Sequence, residues 1–195
     1  MKLGTHSMHI LAAVTVGILL SGFTGLAAAA SPDEKKKEIR KMRSETLAKL
    51  YKAHPVAKGD IQKAAGYAVF SNIGINLILF SAAGGSGVAH DNRTGKDIYM
   101  KMVSGGVGFG LGVKDFRGVF VFSTAKTLQQ FIESGWAADA QADAAAKSGG
   151  KGGAAAGAIT VAPGVDLYQL TENGLALQAT IQGTKYYKDD ELNGK

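Results

Sequence analysis

The sequence from Gly105 to Gly112 is Gly-Gly-Val-Gly-Phe-Gly-Leu-Gly, in which glycine alternates with an apolar residue. Successive side chains of a β-strand point to opposite faces, so a strand of this sequence has one apolar face and one bare face. Glycine inside a strand lowers its stability and usually marks a bend, a bulge or a close backbone approach. This segment, the glycine ladder, therefore predicts a sheet that curls sharply or is covered at very short range.

The glycine ladder does not fit a nucleotide-binding loop. The fingerprint G-x-G-x-x-G requires a third glycine where Leu111 stands, and it requires a helix where Lys114-Asp115 and a turn follow. The other glycine-rich stretch, 147–152, lacks the Gly-Lys-Ser/Thr triplet of a P-loop after a strand. We therefore predict no nucleotide cofactor.

The first thirty residues have the pattern of a secretory signal peptide. Lys2 precedes an apolar stretch, Ile10 to Leu20, and the small residues Ala28-Ala29-Ala30 form a cleavage site before Ser31. The alternative is an uncleaved anchor, but the apolar stretch is shorter than the roughly 20 residues that a spanning helix needs. The expected location is outside the cytoplasm, in the periplasm or associated with the envelope.

Composition limits what residues 31–195 can do. They are long enough for a single domain with a hydrophobic core. The chain has no cysteine, which excludes disulfides, thiol catalysis and thiolate metal sites. Its formal net charge of +6 suits an anionic surface as a partner.

Residues 31–65 are expected to be helical. Ser31, Pro32 and Glu34 form a capping box with proline at the first helical position. His54-Pro55 ends the helix because the residue before proline resists helical geometry. A second, short helix is expected around Ala57 to Ala65.

Residues 66–187 are expected to form the sheet, with one helix at 124–134 inserted between strands and a tail at 188–195. Gly84 to Gly87 is expected to be a bend or bulge, and Asp91 to Gly95 a hairpin turn. The Ala/Gly-rich segment, Ala137 to Gly157, is a poor strand, a hairpin with a mobile tip or a disordered loop. The expected strands are Gly66–Ser71, Ile75–Ala83, Asp97–Val113, Val119–Phe122, Val165–Leu170 and Leu175 to about Tyr187.

No pattern indicates catalysis. His54 lies at a helix end and His90 beside a turn, and neither has a ligand partner at a fixed short spacing. Asp189-Asp190-Glu191 is interpreted as a solvated acidic tail, with a weak calcium contact as the alternative. We predict no catalytic, cofactor-binding or metal-binding residues, and no enzymatic activity.

The first helix carries the one candidate functional patch. An apolar stripe accompanies six cations, a pattern typical of a helix that lies at a membrane surface. The alternative is a solvated structural helix whose stripe packs on the sheet and whose Glu34 and Glu38 pair with Lys37 and Lys41. The candidate headgroup-binding residues are Lys35, Lys36, Lys37, Arg40, Lys41 and Arg43.

Three segments resemble the SYLF domain family. They are Ala64–Phe70 with its Gly-Tyr-Ala-Val-Phe core, the glycine ladder, and Gly174–Tyr187. The resemblance implies one α+β domain with a strongly curved, barrel-like antiparallel sheet and an amphipathic N-terminal helix at Lys35–Tyr51 that associates with lipid. The chain departs from the eukaryotic members in its predicted signal peptide and in lacking their additional modules. Anionic phosphatidylglycerol is therefore a more natural ligand than actin or phosphoinositides.

The sequence thus predicts an exported, non-enzymatic protein that binds anionic phospholipid through its basic helix. The alternative is a structural or interaction protein of the bacterial envelope, which would bind another protein through a sheet edge or the Ala/Gly-rich segment. We predict no nucleic-acid partner, and the oligomeric state is left open.

Overall fold

The computed structural model describes residues 30–72, 84–104, 117–137, 157–171, 174–176 and 184–194. The predicted signal peptide, the strand expected at 75–83, the glycine ladder and most of the Ala/Gly-rich segment lie outside these ranges. The described helices are α1 (Pro32–Ala53), α2 (Val56–Lys63), α3 (Ala125–Ser134) and α4 (Asp190–Asn193). The described strands are β1 (Gly66–Ser71), β2 (Gly84–Asp91), β3 (Asp97–Ser104), β4 (Arg117–Phe122), β5 (Trp136–Ala137), β6 (Ile159–Ala162), β7 (Val165–Thr171), β8 (Gly174–Ala176) and β9 (Thr184–Lys188).

Helix α1 begins and ends where its local sequence predicts. The Ser31 hydroxyl accepts a hydrogen bond from the Glu34 backbone N–H, and the Glu34 carboxylate accepts one from the Ser31 N–H at 2.8 Å. These two bonds satisfy backbone donors that the first turn of a helix leaves unpaired. His54 is the C-cap, and α2 begins directly after Pro55. Both predicted N-terminal helices are confirmed.

The strands form one antiparallel sheet in the order β5-β9-β3-β2-β1-β4-β7-β6, and β8 also pairs with β7. Its curvature is visible in the contact between Tyr186 on β9 and Phe120 on β4. These strands are four positions apart, or roughly 19 Å on a flat sheet, yet the ring centroids are 5.0 Å apart. The fold is therefore α+β, with a curled half-barrel sheet, an N-terminal helix and α3 inserted between β4 and β5, as predicted.

The concave face of the sheet holds an aromatic core against α3. Helix α3 is capped by Thr124 and ends at Gly135, whose φ is 68°. Its buried Leu128 and Phe131 pack into the half-barrel. The buried residues of this core are Ala68, Phe70, Ala89, Met100, Met102, Phe120, Phe122, Leu128, Phe131, Ile159, Val161, Leu167 and Tyr186.

The convex face of the sheet is covered by α1, α2 and α4, so the domain has three layers. Apolar residues of these helices pack on strand residues that alternate with those of the concave core. The buried residues of this second core are Ile39, Met42, Leu50, Ala57, Ile61, Tyr67, Val69, Val88, Tyr99, Val119, Val121, Tyr168, Leu170 and Leu192. Both faces of the central strands are thus buried.

The prediction of a bend or bulge at Gly84–Gly87 is wrong. These residues lie in β2, which pairs without a register shift with β1 and β3. A Cβ on Gly85 would lie 2.6 Å from the Ser71 carbonyl oxygen, and one on Gly87 would lie 2.6 Å from that of Val69. The glycines therefore permit close packing within a regular strand.

The C-terminal residues also differ from the expectation. The single strand expected from Leu175 to Tyr187 is described as β8 and β9, which pair with β7 and β3 respectively, while 177–183 lie outside the described residues. The expected solvated tail contains α4, where buried Asp189 accepts a hydrogen bond from Leu192 N–H. Leu192 packs in the convex core, so apolar burial holds these residues on the domain.

Candidate functional site

Helix α1 lies on the convex face of the sheet with its apolar stripe inward. Ile39 and Leu50 are at most 1% exposed and Met42 is 7% exposed. These side chains belong to the convex core, together with Tyr67 and Val69 of β1. The stripe is a packing surface in this structure, as the alternative interpretation of the helix predicted, so any contact of α1 itself with lipid in this conformation is made by its cations.

Four of the six candidate cations contact other parts of the chain. Lys35 Nζ lies 2.7 Å from Glu191 Oε1 on α4. The Lys36 ammonium lies 5.7 Å from the centroid of the Tyr99 ring, within the range of a cation–π interaction. Arg40 Nη1 donates a hydrogen bond to the Tyr99 hydroxyl at 2.5 Å.

The fourth of these cations, Arg43, contacts a carboxylate that two elements share. Its Nη1 lies 2.6 Å from Asp97 Oδ1, and the same oxygen lies 2.6 Å from His90 Nδ1. Asp97 begins β3 and His90 lies near the end of β2, so this three-residue cluster ties α1 to two strands. His90, which the sequence places beside a turn, is a partly buried member of this cluster.

Lys37 and Lys41 are the two candidate cations that are exposed and have neither a side-chain hydrogen bond nor an ion pair among the described residues, whereas the equally exposed Arg40 bonds to Tyr99. The pKa of the Glu34 carboxyl group is lowered chiefly by the hydrogen bonds from Ser31, and the charge of the nearby Lys37 lowers it further. Lys49 and Lys52 extend the exposed positive charge towards the end of α1. The helix therefore presents solvent-facing cations while its other cations hold it in place.

A small cavity of about 220 Å³ lies between α2, the end of β4 and β7. The Tyr168 hydroxyl donates to Asp60 Oδ2 at 2.9 Å, and the Thr160 hydroxyl donates to Asp166 Oδ1 at 2.6 Å. Burial and the carboxylates of Asp60 and Asp166 raise the pKa of Tyr168 above its ordinary value of 10. The cavity is lined by Asp60, Lys63, Ala64, Val121, Ser123, Asp166 and Tyr168.

Sequence reasoning missed this cavity because Asp60 and Asp166 are distant in the chain and belong to no motif.

Within the described ranges, no cluster of three or more His, Cys, Asp or Glu side chains could hold a metal ion. In the same part of the chain, no helix is both long enough and apolar enough to cross a bilayer.

Comparison with known proteins gives a similarity in sequence to a curated protein. No family model matches the chain. Beta cell expansion factor A of Aeromonas veronii is 36% identical over 154 residues, which are 79% of this chain and 57% of that relative. The chain thus spans a little over half of the relative's length. The relative's name refers to the expansion of beta cells and names no ligand, and the resemblance to the SYLF family stays a prediction.

Proposed function

We propose that this protein is exported and binds anionic phospholipid at a membrane surface through the solvent-facing cations of α1, without catalysing a reaction. The observation that carries the proposal is the charge of α1, which has eight cationic and four acidic side chains. Lys37 and Lys41, in the first half of the helix, are exposed and unpaired within the described residues. The resemblance to the SYLF family supports the same function.

The proposed contact is peripheral. A cation near an anionic bilayer contributes about 1 kcal/mol, and salt screens this contribution. The apolar stripe of α1 is buried on the sheet, so the electrostatic term dominates the binding through this helix. We therefore expect binding that requires anionic lipid and weakens steeply as the salt concentration rises.

Co-sedimentation with vesicles tests the proposal. The protein is mixed with vesicles of phosphatidylglycerol and phosphatidylcholine, or of phosphatidylcholine alone, at low and at physiological salt. The variant K37E/K41E should lower partitioning onto the anionic vesicles tenfold or more, since two charges of about 1 kcal/mol each are reversed. Neither residue packs in the core, so the fold should be retained, which circular dichroism checks.

The matched control reverses two exposed cations that do not belong to α1. Lys96 lies in the hairpin turn and Lys126 lies on α3, on the other side of the sheet. The variant K96E/K126E has the same net charge as K37E/K41E and should bind nearly as well as the unmodified protein. Equal sedimentation with both kinds of vesicle, or an equal loss in both variants, would contradict a role for α1. Capture of an envelope protein without vesicle binding would favour the interaction-protein alternative.

A further inference from the structure

Among the described residues, the large apolar side chains that remain exposed are Val56, Val103 and Tyr187. Val56 begins α2, whereas Val103 and Tyr187 lie on the adjacent strands β3 and β9 and are each 37% exposed. Two such residues on neighbouring strands form a local apolar surface, unlike a single exposed side chain.

The register of β3 and β9 places cations directly beside these two residues. Lys101 is opposite Tyr187, and Val103 is opposite Lys185. In an antiparallel pair, opposite residues project from the same face of the sheet, so the four side chains form a block of alternating charge and apolarity. We call Lys101, Val103, Lys185 and Tyr187 the β3–β9 patch.

The β3–β9 patch adjoins the beginning of α1. Its residues project from the same face as Tyr99, which contacts Lys36 and Arg40 of α1. Lys101 Nζ lies 3.1 Å from Asp189 Oδ1, and Asp189 caps α4. Helix α4 in turn contacts α1 through the ion pair of Glu191 and Lys35. The patch, α4 and the first turns of α1 are therefore neighbours on the convex side.

We infer that the β3–β9 patch is a second point of contact with the anionic bilayer, one that supplies the apolar part of the interaction. This inference rests on the function proposed above. Tyrosine favours the boundary between headgroups and acyl chains because its ring is apolar and its hydroxyl is polar. Lys185 is exposed beside it and meets the lipid phosphates, and Val103 adds apolar area.

The occupant is a bilayer because of the chemistry and the size of the patch. Two partly exposed apolar residues provide far less area than the roughly 800 Å² per partner of a stable protein interface. An anionic membrane complements the positive charge of the patch and of α1 at the same time. The buried stripe of α1 leaves the apolar contribution to residues outside that helix.

Site-specific fluorescence tests the inference, and the absence of native cysteine makes the labelling selective. The variants V103C and V56C each carry one thiol, which is labelled with a polarity-sensitive dye. On addition of phosphatidylglycerol/phosphatidylcholine vesicles, the dye at position 103 should shift to the blue and be protected from an aqueous quencher. The dye at position 56 should show neither change, since Val56 is more exposed but lies on α2.

A second pair of variants avoids the label. Y187S should lower partitioning onto anionic vesicles at least about threefold, because the binding strength scales with the apolar area buried at the membrane. V56S should leave partitioning unchanged. The role of the patch would be overturned if the unmodified protein sediments with anionic vesicles, the dye at position 103 shows no spectral change, and Y187S binds normally. That outcome would leave the function proposed for α1 intact. Failure of the unmodified protein to sediment with anionic vesicles would overturn both proposals.

Discussion

The ring of Phe70 on β1 occupies the space beside Gly87 on β2 where any other residue would carry its Cβ. The two residues are direct partners in the sheet, and Phe70 Cε1 lies 2.5 Å from the position of that absent Cβ. On its other side Phe70 faces Gly118 of β4. Because both partners lack side chains, the ring lies close to the sheet and meets Tyr186 at a centroid distance of 4.7 Å. In this curled sheet, Phe70 thus lies between two glycines, Gly87 on β2 and Gly118 on β4.

Gly87→Ala should destabilise the domain by about 1–3 kcal/mol. The new methyl group would overlap the Phe70 ring and the Val69 carbonyl oxygen, and a packed core yields little to such overlap. Chemical denaturation measures the change in the free energy of unfolding. Gly59→Ala is the control, because nothing lies within 4 Å of its Cβ position in α2. It should stabilise the domain by about 0.5–1 kcal/mol through helix propensity. Similar effects of the two substitutions would show that Gly87 is not sterically constrained.

Tyr186→Phe should increase the free energy of unfolding by about 1–3 kcal/mol. The Tyr186 ring packs against Phe70, Phe120 and Phe131, and its hydroxyl is buried without a hydrogen-bond partner among the described residues. A buried polar group without a partner loses its hydration on folding and gains nothing in return. Denaturation in urea checks the change, and a loss of more than about 1 kcal/mol would mean that the hydroxyl has a partner.

The same residue should make the protein less stable in alkali. Burial raises the pKa of Tyr186 far above its ordinary value of 10, so the folded protein keeps a proton that the unfolded chain releases above pH 10. The contribution of this proton to the free energy of unfolding is fully present below pH 10. It is lost as the pH rises above 10, by about 1.4 kcal/mol per pH unit. Unfolding measured from pH 9 to 11 should show a slope that is smaller in Tyr186→Phe, by about half a proton at pH 10 and nearly one proton at pH 11. Equal slopes would mean that Tyr186 ionises in the folded state.

The ion pair between Arg43 and Asp97 should contribute measurably to holding α1 on the sheet. Their side chains are 18% and 21% exposed, and the shared carboxylate also contacts His90. A double-mutant cycle with Arg43→Met and Asp97→Ala should give a coupling energy of about 1–2 kcal/mol. The exposed pair Arg93–Asp91, 3.7 Å apart, is the control and should give no more than about 0.5 kcal/mol. A coupling energy at Arg43–Asp97 no larger than that of the control pair would show that this ion pair does not help to hold α1 on the sheet.

Lys35→Gln should raise the pKa of Glu191 towards its ordinary value of 4.5. The hydrogen bond from Lys35 and its charge lower the pKa of Glu191 in the folded protein. The contribution of this contact is present above pH 4.5 and is lost as the pH falls through the folded-state pKa. Carbon-detected NMR titration of the carboxyl group measures the shift. Lys36→Gln should leave Glu191 unchanged, because Lys36 faces the Tyr99 ring. No difference between the two variants would show that Lys35 does not set this pKa.

Elements whose ends depend on neighbouring residues were predictable from the sequence. Ser31 and Glu34 satisfy the first turn of α1, and Asp91 accepts hydrogen bonds from the backbone N–H groups of Arg93 and Thr94 in the hairpin turn. Gly95 in that turn has a φ of 72°, which glycine adopts readily. The curled α+β sheet also followed, from the glycine pattern and the family resemblance. These features rest on local backbone chemistry or on a pattern repeated along the sequence.

The candidate site was predictable only in part. The sequence identified the basic residues of α1 but not which of them are free, because the partners Tyr99, Asp97 and Glu191 are more than fifty residues away in the chain. The β3–β9 patch depends on a register that only the folded sheet defines. Likewise, the acidic stretch at 189–191 lies on the domain because Leu192 is buried in the convex core, which the sequence does not reveal.

The sequence by itself therefore determined the helix ends, the hairpin turn and the surplus of positive charge, because each depends on short-range contacts or on composition. The antiparallel α+β class followed from the family resemblance. Only the tertiary structure decided which cations hold α1 to the sheet and which face solvent. It also decided that Gly84–Gly87 continue a regular strand, in which Gly87 leaves the space that the Phe70 ring occupies. These features depend on contacts between residues that are distant in the chain, and such contacts form only when the sheet and the helices pack together.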